Sequence, residues 1–140
     1  HFNSALDFDD LGLKEGYSTL KAYGRSKLMN LLTARELQLR LVGDNVVASS
    51  FHPGAVRTPI WKKGGALARL LGLILYPFMK SVVEGSSTLI WLASSEDRAS
   101  KGPEGHYFYE GKRAETAKFA TDADAKRLWQ ISEELIAPYC

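Results

Sequence analysis

The 140-residue chain is 45% hydrophobic and 24% charged, a composition that makes one packed globular domain and argues against a disordered tail, a collagen-like fibre or a repeat array. Its 18 Lys plus Arg stand against 16 Asp plus Glu, a net charge of +2 spread along the whole length, so no basic block tracks a phosphate backbone and nucleic acid is not an expected partner. The single cysteine is the last residue, Cys140, which removes internal disulfides and cysteine metal cages and fits a reducing compartment.

In chain order, the Asp7, Asp9 and Asp10 stretch reads as a solvated loop, because no further ligand stands at metal-binding spacing. Residues 20–41 follow with no Pro and with apolar residues at Leu20, Leu28, Leu31, Leu32, Leu37 and Leu41, which predicts one long helix with a buried face. Gly43, Asp44 and Asn45 stop it. The uncharged, β-branched run 46–51 then predicts a buried strand, ended by Pro53 and Gly54.

Residues 59–79 are less regular: Pro59, Trp61, Gly64 and Gly65 precede an apolar stretch 66–79 broken by Arg69, Gly72 and Pro77. That stretch falls short of the roughly 20 apolar residues a bilayer span needs. The segment 61–79 is a candidate substrate lid, or a contact with a membrane surface, through 66–79, or with a neighbouring subunit. Ser81 with Glu84 predicts a capping box opening a helix to about residue 93, and Gly85 with its neighbouring serines points to close packing. A turn at 102–105 leads to the aromatic run 106–109, which predicts a strand. Thr121 with Asp124 at N3 starts a last amphipathic helix carrying Leu128, Ile131, Leu135 and Ile136. Helices alternating with short apolar strands give an α/β chain with a parallel sheet. Two strands cannot cover three helices, so the pattern reads as the second half of a larger domain.

The chemistry concentrates in two places. A Tyr and a Lys four apart on a helix share one face, and an ammonium one turn from a phenol favours the phenolate, as a tyrosine acting as general acid or base requires. The spacing occurs three times, at Tyr17 with Lys21, Tyr23 with Lys27, and Tyr76 with Lys80. Only Tyr23 and Lys27 fall within the long helix, because Tyr17 lies at its start and Pro77 disfavours helix at Tyr76. The second place is the strand end 52–58, since ligands in open parallel sheets sit outside the carboxyl ends of strands. That turn can present the amide and carbonyl of Val56 and the hydroxyl of Thr58 to a planar carboxamide. His52 and His106 read as structural groups.

Together, Tyr23-Gly24-Arg25-Ser26-Lys27, the long helix, the strand, and Pro53-Gly54 followed by Val56 and Thr58 resemble the C-terminal half of the short-chain dehydrogenase/reductase family. The late Arg127-Leu128-Trp129 and His52-Pro53-Gly54 are similar to the branch holding retinol dehydrogenases and the WW-domain-containing oxidoreductase. The resemblance implies the C-terminal half of a Rossmann-type doubly wound parallel sheet with flanking helices, with residues 1–140 forming part of one dinucleotide-binding oxidoreductase domain. It implies hydride transfer between a nicotinamide cofactor, NADP in preference to NAD, and an apolar carbonyl or alcohol such as a retinoid, steroid or lipid-like compound.

In that pattern Tyr23 and Lys27 are catalytic and also bind cofactor, while Pro53, Gly54, Val56 and Thr58 line the nicotinamide. The long helix and the Ser81 helix are candidate homodimer faces. The family's glycine-rich phosphate loop is missing, and its catalytic serine belongs ahead of His1; Ser4 reads as a loop residue. The expectation is therefore that the N-terminal cofactor-phosphate half is absent and that these 140 residues alone are inactive. The alternative is a noncatalytic Rossmann-like interaction module or an inactive fragment. Localisation stays open between the cytoplasm and a membrane face toward a reducing compartment.

Overall fold

A computed structural model describes residues 5–44, 46–57, 72–96 and 106–139. Thr58, the stretch 59–71, the turn at 102–105, and His1 and Ser4 lie outside the described residues. The chain divides into two compact units: the first takes His1–Ser50, Glu96–Tyr107 and Arg113–Cys140, the second Phe51–Ser95 and Phe108–Lys112.

In the first unit, helix α1 spans Thr19–Arg40. Its Leu28, Leu31 and Leu32 form a core with Tyr107, Ala120, Ala125 and Leu128. Leu28 and Leu32 are fully buried, each contributing about 1.5–3 kcal/mol of transfer free energy. Leu20 on the same helix is 78% exposed, so the apolar stripe covers only the middle turns. A helix at Asp122–Ile136, labelled α3 below, supplies the other side of this core. Thr121 caps it, its hydroxyl accepting the Asp124 N–H at 3.1 Å, which satisfies one of the four orphan donors of the first turn. Arg35 of α1 ties the two helices, donating to the Ala120 carbonyl at 2.7 Å and pairing with Asp122 at 2.5 Å. Leu135 and Ile136, expected on the buried side, are exposed.

The sheet has three strands in the order β1 (Ser50–His52), β2 (Tyr107–Tyr109) and β3 (Lys112–Arg113). Ser50 N–H donates to the His106 carbonyl where β1 and β2 begin, and the His52 and Tyr109 rings stack at 5.5 Å where they end. Start meets start, so β1 and β2 run parallel, as the crossover between them requires. β3 departs from the expected parallel, two-strand pattern: two residues, Glu110 and Gly111, both with positive φ (52° and 70°), turn the chain back as a type I′ hairpin. The first strand is also shorter than expected. The Ala48 N–H donates to the Gln38 side-chain oxygen at 2.6 Å, so a side chain takes the place of a ladder partner and strand pairing begins only at Ser50.

In the second unit, α2 spans Val82–Ser94 behind the expected capping box, with Glu84 N–H donating to Ser81 Oγ and Ser81 N–H to the Glu84 carboxylate. Gly85, Thr88 and Leu92 are its buried face. Trp91 meets Phe108 edge-on at 5.5 Å. Among the described residues, no helix is long and apolar enough to cross a membrane.

Candidate active site

Tyr23 and Lys27 sit on the second and third turns of α1. The Lys27 ammonium lies 5.4 Å from the centroid of the Tyr23 ring, a cation–π distance. Tyr23 is 58% exposed, so its phenol is reachable from solvent. The backbone beneath it is conditioned locally: Ser26 Oγ donates to the Tyr23 carbonyl at 2.8 Å, and Arg25 donates to the Asp10 carbonyl.

Asp10 organises the loop ahead of the helix. Its carboxylate accepts the Lys14 and Glu15 amides at 2.7 and 3.1 Å, and these two hydrogen bonds, chiefly, hold its carboxyl below the usual carboxylate range. The other two Tyr–Lys spacings diverge. Tyr17 precedes α1. Tyr76 lies in a 3-10 turn, Tyr76–Phe78, with the Arg57 guanidinium 4.8 Å from its ring.

The strand-end turn belongs to the second unit. Gly54 has φ +82°, a conformation that side chains resist, and a Cβ there would meet Lys80 Cδ at 3.3 Å. Lys80 N–H donates to the Ala55 carbonyl at 2.8 Å, and Arg57 N–H donates to the Lys80 carbonyl at 2.9 Å. This pair of bonds is a parallel bridge between Val56 and Lys80. Strand geometry then turns the amide and carbonyl of Val56 itself toward the opposite edge. The face of Gly54 where a Cβ would stand is covered by the Lys80 side chain, whose Cδ, Cε and Nζ lie 3.3, 3.4 and 3.6 Å from that point. Thr58, the expected hydroxyl partner, is outside the described residues.

His52, read as a structural group, is the last residue of β1. It is exposed and rests against Tyr109. Partial desolvation, with the nearby Lys80 charge, pushes its pKa below the ordinary histidine value. His106 is buried. Two pairings formed by the fold surround this turn. Glu110 pairs with Lys80 at 2.6 Å, and Gly85 packs its backbone against Val56. Thirty and twenty-nine positions separate these pairs, so no sequence window contains either.

No family model matches the chain. It is 39% identical over 135 residues to retinol dehydrogenase 14 of Homo sapiens, an alignment covering 94% of this chain and 40% of that protein. It is 38% identical to retinol dehydrogenase 12 of Mus musculus, covering 97% and 42%. It is 34% identical to the WW domain-containing oxidoreductase of Gallus gallus, covering 94% and 32%. The chain thus spans about two fifths of the length of the retinol dehydrogenases it matches.

Proposed function

As a chain related over nearly its whole length to the short-chain dehydrogenase/reductase family, it is one for which, we propose, the activity is that of a nicotinamide-dependent oxidoreductase acting on an apolar carbonyl or alcohol. Retinoids, steroids and lipid-derived aldehydes are the substrate class, an extension from the names of the retinol dehydrogenases it is similar to. The reading takes residues 1–140 as the C-terminal part of one dinucleotide-binding domain, which the coverage of about two fifths of those relatives supports. The carrying observation is the Lys27 ammonium 5.4 Å from the Tyr23 ring on one helix face.

Bound dinucleotide supplies or accepts the hydride. The chain's own residues handle the rest. Tyr23 Oη donates the proton to the substrate oxygen in reduction and takes it back in oxidation. The Lys27 ammonium offsets the negative charge left on the phenol oxygen, and hydrogen-bonds ribose hydroxyls with its remaining donors. Pro53, Gly54, Val56 and Thr58 would line the nicotinamide. NADP is the preferred cofactor in this reading, with NAD as the comparison.

The test takes the full chain, residues 1–140 together with the cofactor-phosphate half that this reading requires, incubates it with each dinucleotide and a series of apolar aldehydes, and follows the reduced-nicotinamide absorbance. Turnover that Tyr23→Phe abolishes supports the reading. Full activity of Tyr23→Phe overturns the assignment of Tyr23, and no dinucleotide binding by the wild-type chain favours a noncatalytic interaction module.

A further inference from the structure

Four contacts converge on Lys80, a residue that spacing pairs with Tyr76 and that the structure pairs elsewhere. Its backbone brackets Val56 through the two bonds to Ala55 and Arg57. Its methylene chain runs across Gly54, with Cδ and Cε 3.3 and 3.4 Å from where a Cβ would stand. Its ammonium meets the Glu110 carboxylate at 2.6 Å and lies 5.1 Å from the centre of the Tyr109 ring.

Glu110 is an unusual residue for its place. It occupies the first central position of a type I′ turn at φ +52°, where Asn, Asp or Gly is ordinarily found because a longer side chain gains nothing from the left-handed backbone. What glutamate adds there is reach: its carboxylate extends from the hairpin tip to Lys80.

Among the described residues the bridge between Val56 and Lys80 is isolated, outside the named strands. An ammonium fixed at its far end limits the rotamers of Lys80 and, with them, the freedom of the backbone it carries. We propose that Lys80 is a positioning residue: its ion pair with Glu110 keeps the Pro53–Arg57 turn in register and thereby sets the affinity for the nicotinamide dinucleotide. This rests on the reading of that turn as the nicotinamide cradle.

The experiment compares wild type, Lys80→Met, Glu110→Asn and the swapped pair Lys80→Glu with Glu110→Lys in the full chain. Lys80→Met keeps the methylene packing on Gly54 and loses only the charge. Glu110→Asn installs the residue the turn prefers, so its Tm should hold or rise. Both should raise KM for the dinucleotide about three- to fivefold, the range open to an exposed ion pair, with the loss falling on KM more than on kcat. The swapped pair should recover part of it.

Amide hydrogen exchange at Arg57, whose N–H closes the bridge, should quicken about as much in both single variants. A Glu110→Asn chain with raised Tm, wild-type KM and wild-type exchange overturns the proposal. Where the full wild-type chain, with the cofactor-phosphate half in place, turns over nothing, the oxidoreductase reading falls, and exchange at Arg57 still decides the clamp: faster exchange supports it and unchanged exchange overturns it.

Discussion

Gly85 lies so close to Val56 that a Cβ on it would stand 2.6 Å from Val56 Cγ2 and 3.2 Å from Cγ1. Val56 has little room to yield, because the peptide bonds on both sides of it are hydrogen-bonded to Lys80. Overpacking of this kind costs about 1–3 kcal/mol, and alanine's better helix propensity returns about 1. Gly85→Ala should therefore lower stability by up to about 2 kcal/mol, read from the urea midpoint. Adding Val56→Ala should shrink the effect of the Gly85 change, and a double-mutant cycle measures the coupling.

The Tyr23 prediction separates chemistry from folding. The side chain is more than half exposed, so Tyr23→Phe should leave stability within about 0.5 kcal/mol of wild type. Proton transfer by a placed side chain is worth roughly 10²–10⁴ in rate. The expected result is a kcat loss of about that size with an unchanged unfolding curve. A parallel fall in both would mean that the hydroxyl serves the fold.

Gln38→Leu addresses the delayed start of β1. Gln38 is buried, and its oxygen is the acceptor for the Ala48 N–H. Leucine would fill similar space and leave that donor without the bond, at a cost of about 1–3 kcal/mol. Exchange at the Ala48 amide should rise together with the loss of stability.

Much of this architecture is legible in local sequence, because its determinants are local. The Ser81 capping box, the Thr121 cap and the apolar spacing of Leu28, Leu31 and Leu32 each fit within two turns of helix, and each appears where its pattern places it. The Tyr23–Lys27 pairing is likewise a property of one helix face. What escaped depends on residues brought together by the fold. The sequence run 46–51 has strand composition, but only a partner backbone makes a strand, and at Ala48 the partner is Gln38. The hairpin to β3 escaped because Glu110 is a poor residue for a left-handed turn and gives no turn signal. The stacking of His52 on Tyr109 joins the ends of two strands far apart in sequence, so no local pattern shows it.

Acid should act on His52 in a definite direction. Its folded pKa lies below its usual value of 6.5, first through desolvation and also through Lys80. The unfolded chain therefore binds a proton more readily than the folded one, and stability falls as pH drops through about 6.5 toward the folded value. Above that range His52 is neutral in both states and contributes no pH dependence. His52→Gln should flatten the stability profile between about pH 5 and 7, measured as urea midpoint against pH.

The Lys80–Glu110 pair gives a wider window. Hydrogen bonding to Lys80 lowers the Glu110 pKa below its usual 4.5, and the same bond raises Lys80 above 10.5. The contribution of Glu110 is present above 4.5 and disappears as pH falls through its folded value. That of Lys80 is present below 10.5 and disappears as pH rises through its own. Glu110 is exposed and Lys80 partly so, so salt should weaken the pair. The difference in Tm between wild type and Lys80→Met should be flat between about pH 6 and 9 and should narrow in 1 M salt.

The division of the chain into units has a consequence for how such a fold can be handled genetically. The chain leaves the first unit after Ser50, returns at Glu96, leaves again after Tyr107 and returns at Arg113. Neither unit is a single stretch of the reading frame, and β1 and β2 each place residues in both. No one truncation point isolates a unit, and a chimera joined at one crossover with a related dehydrogenase must cut through at least one of the units. Shuffling relatives here calls for several junctions at once, placed where the chain changes unit.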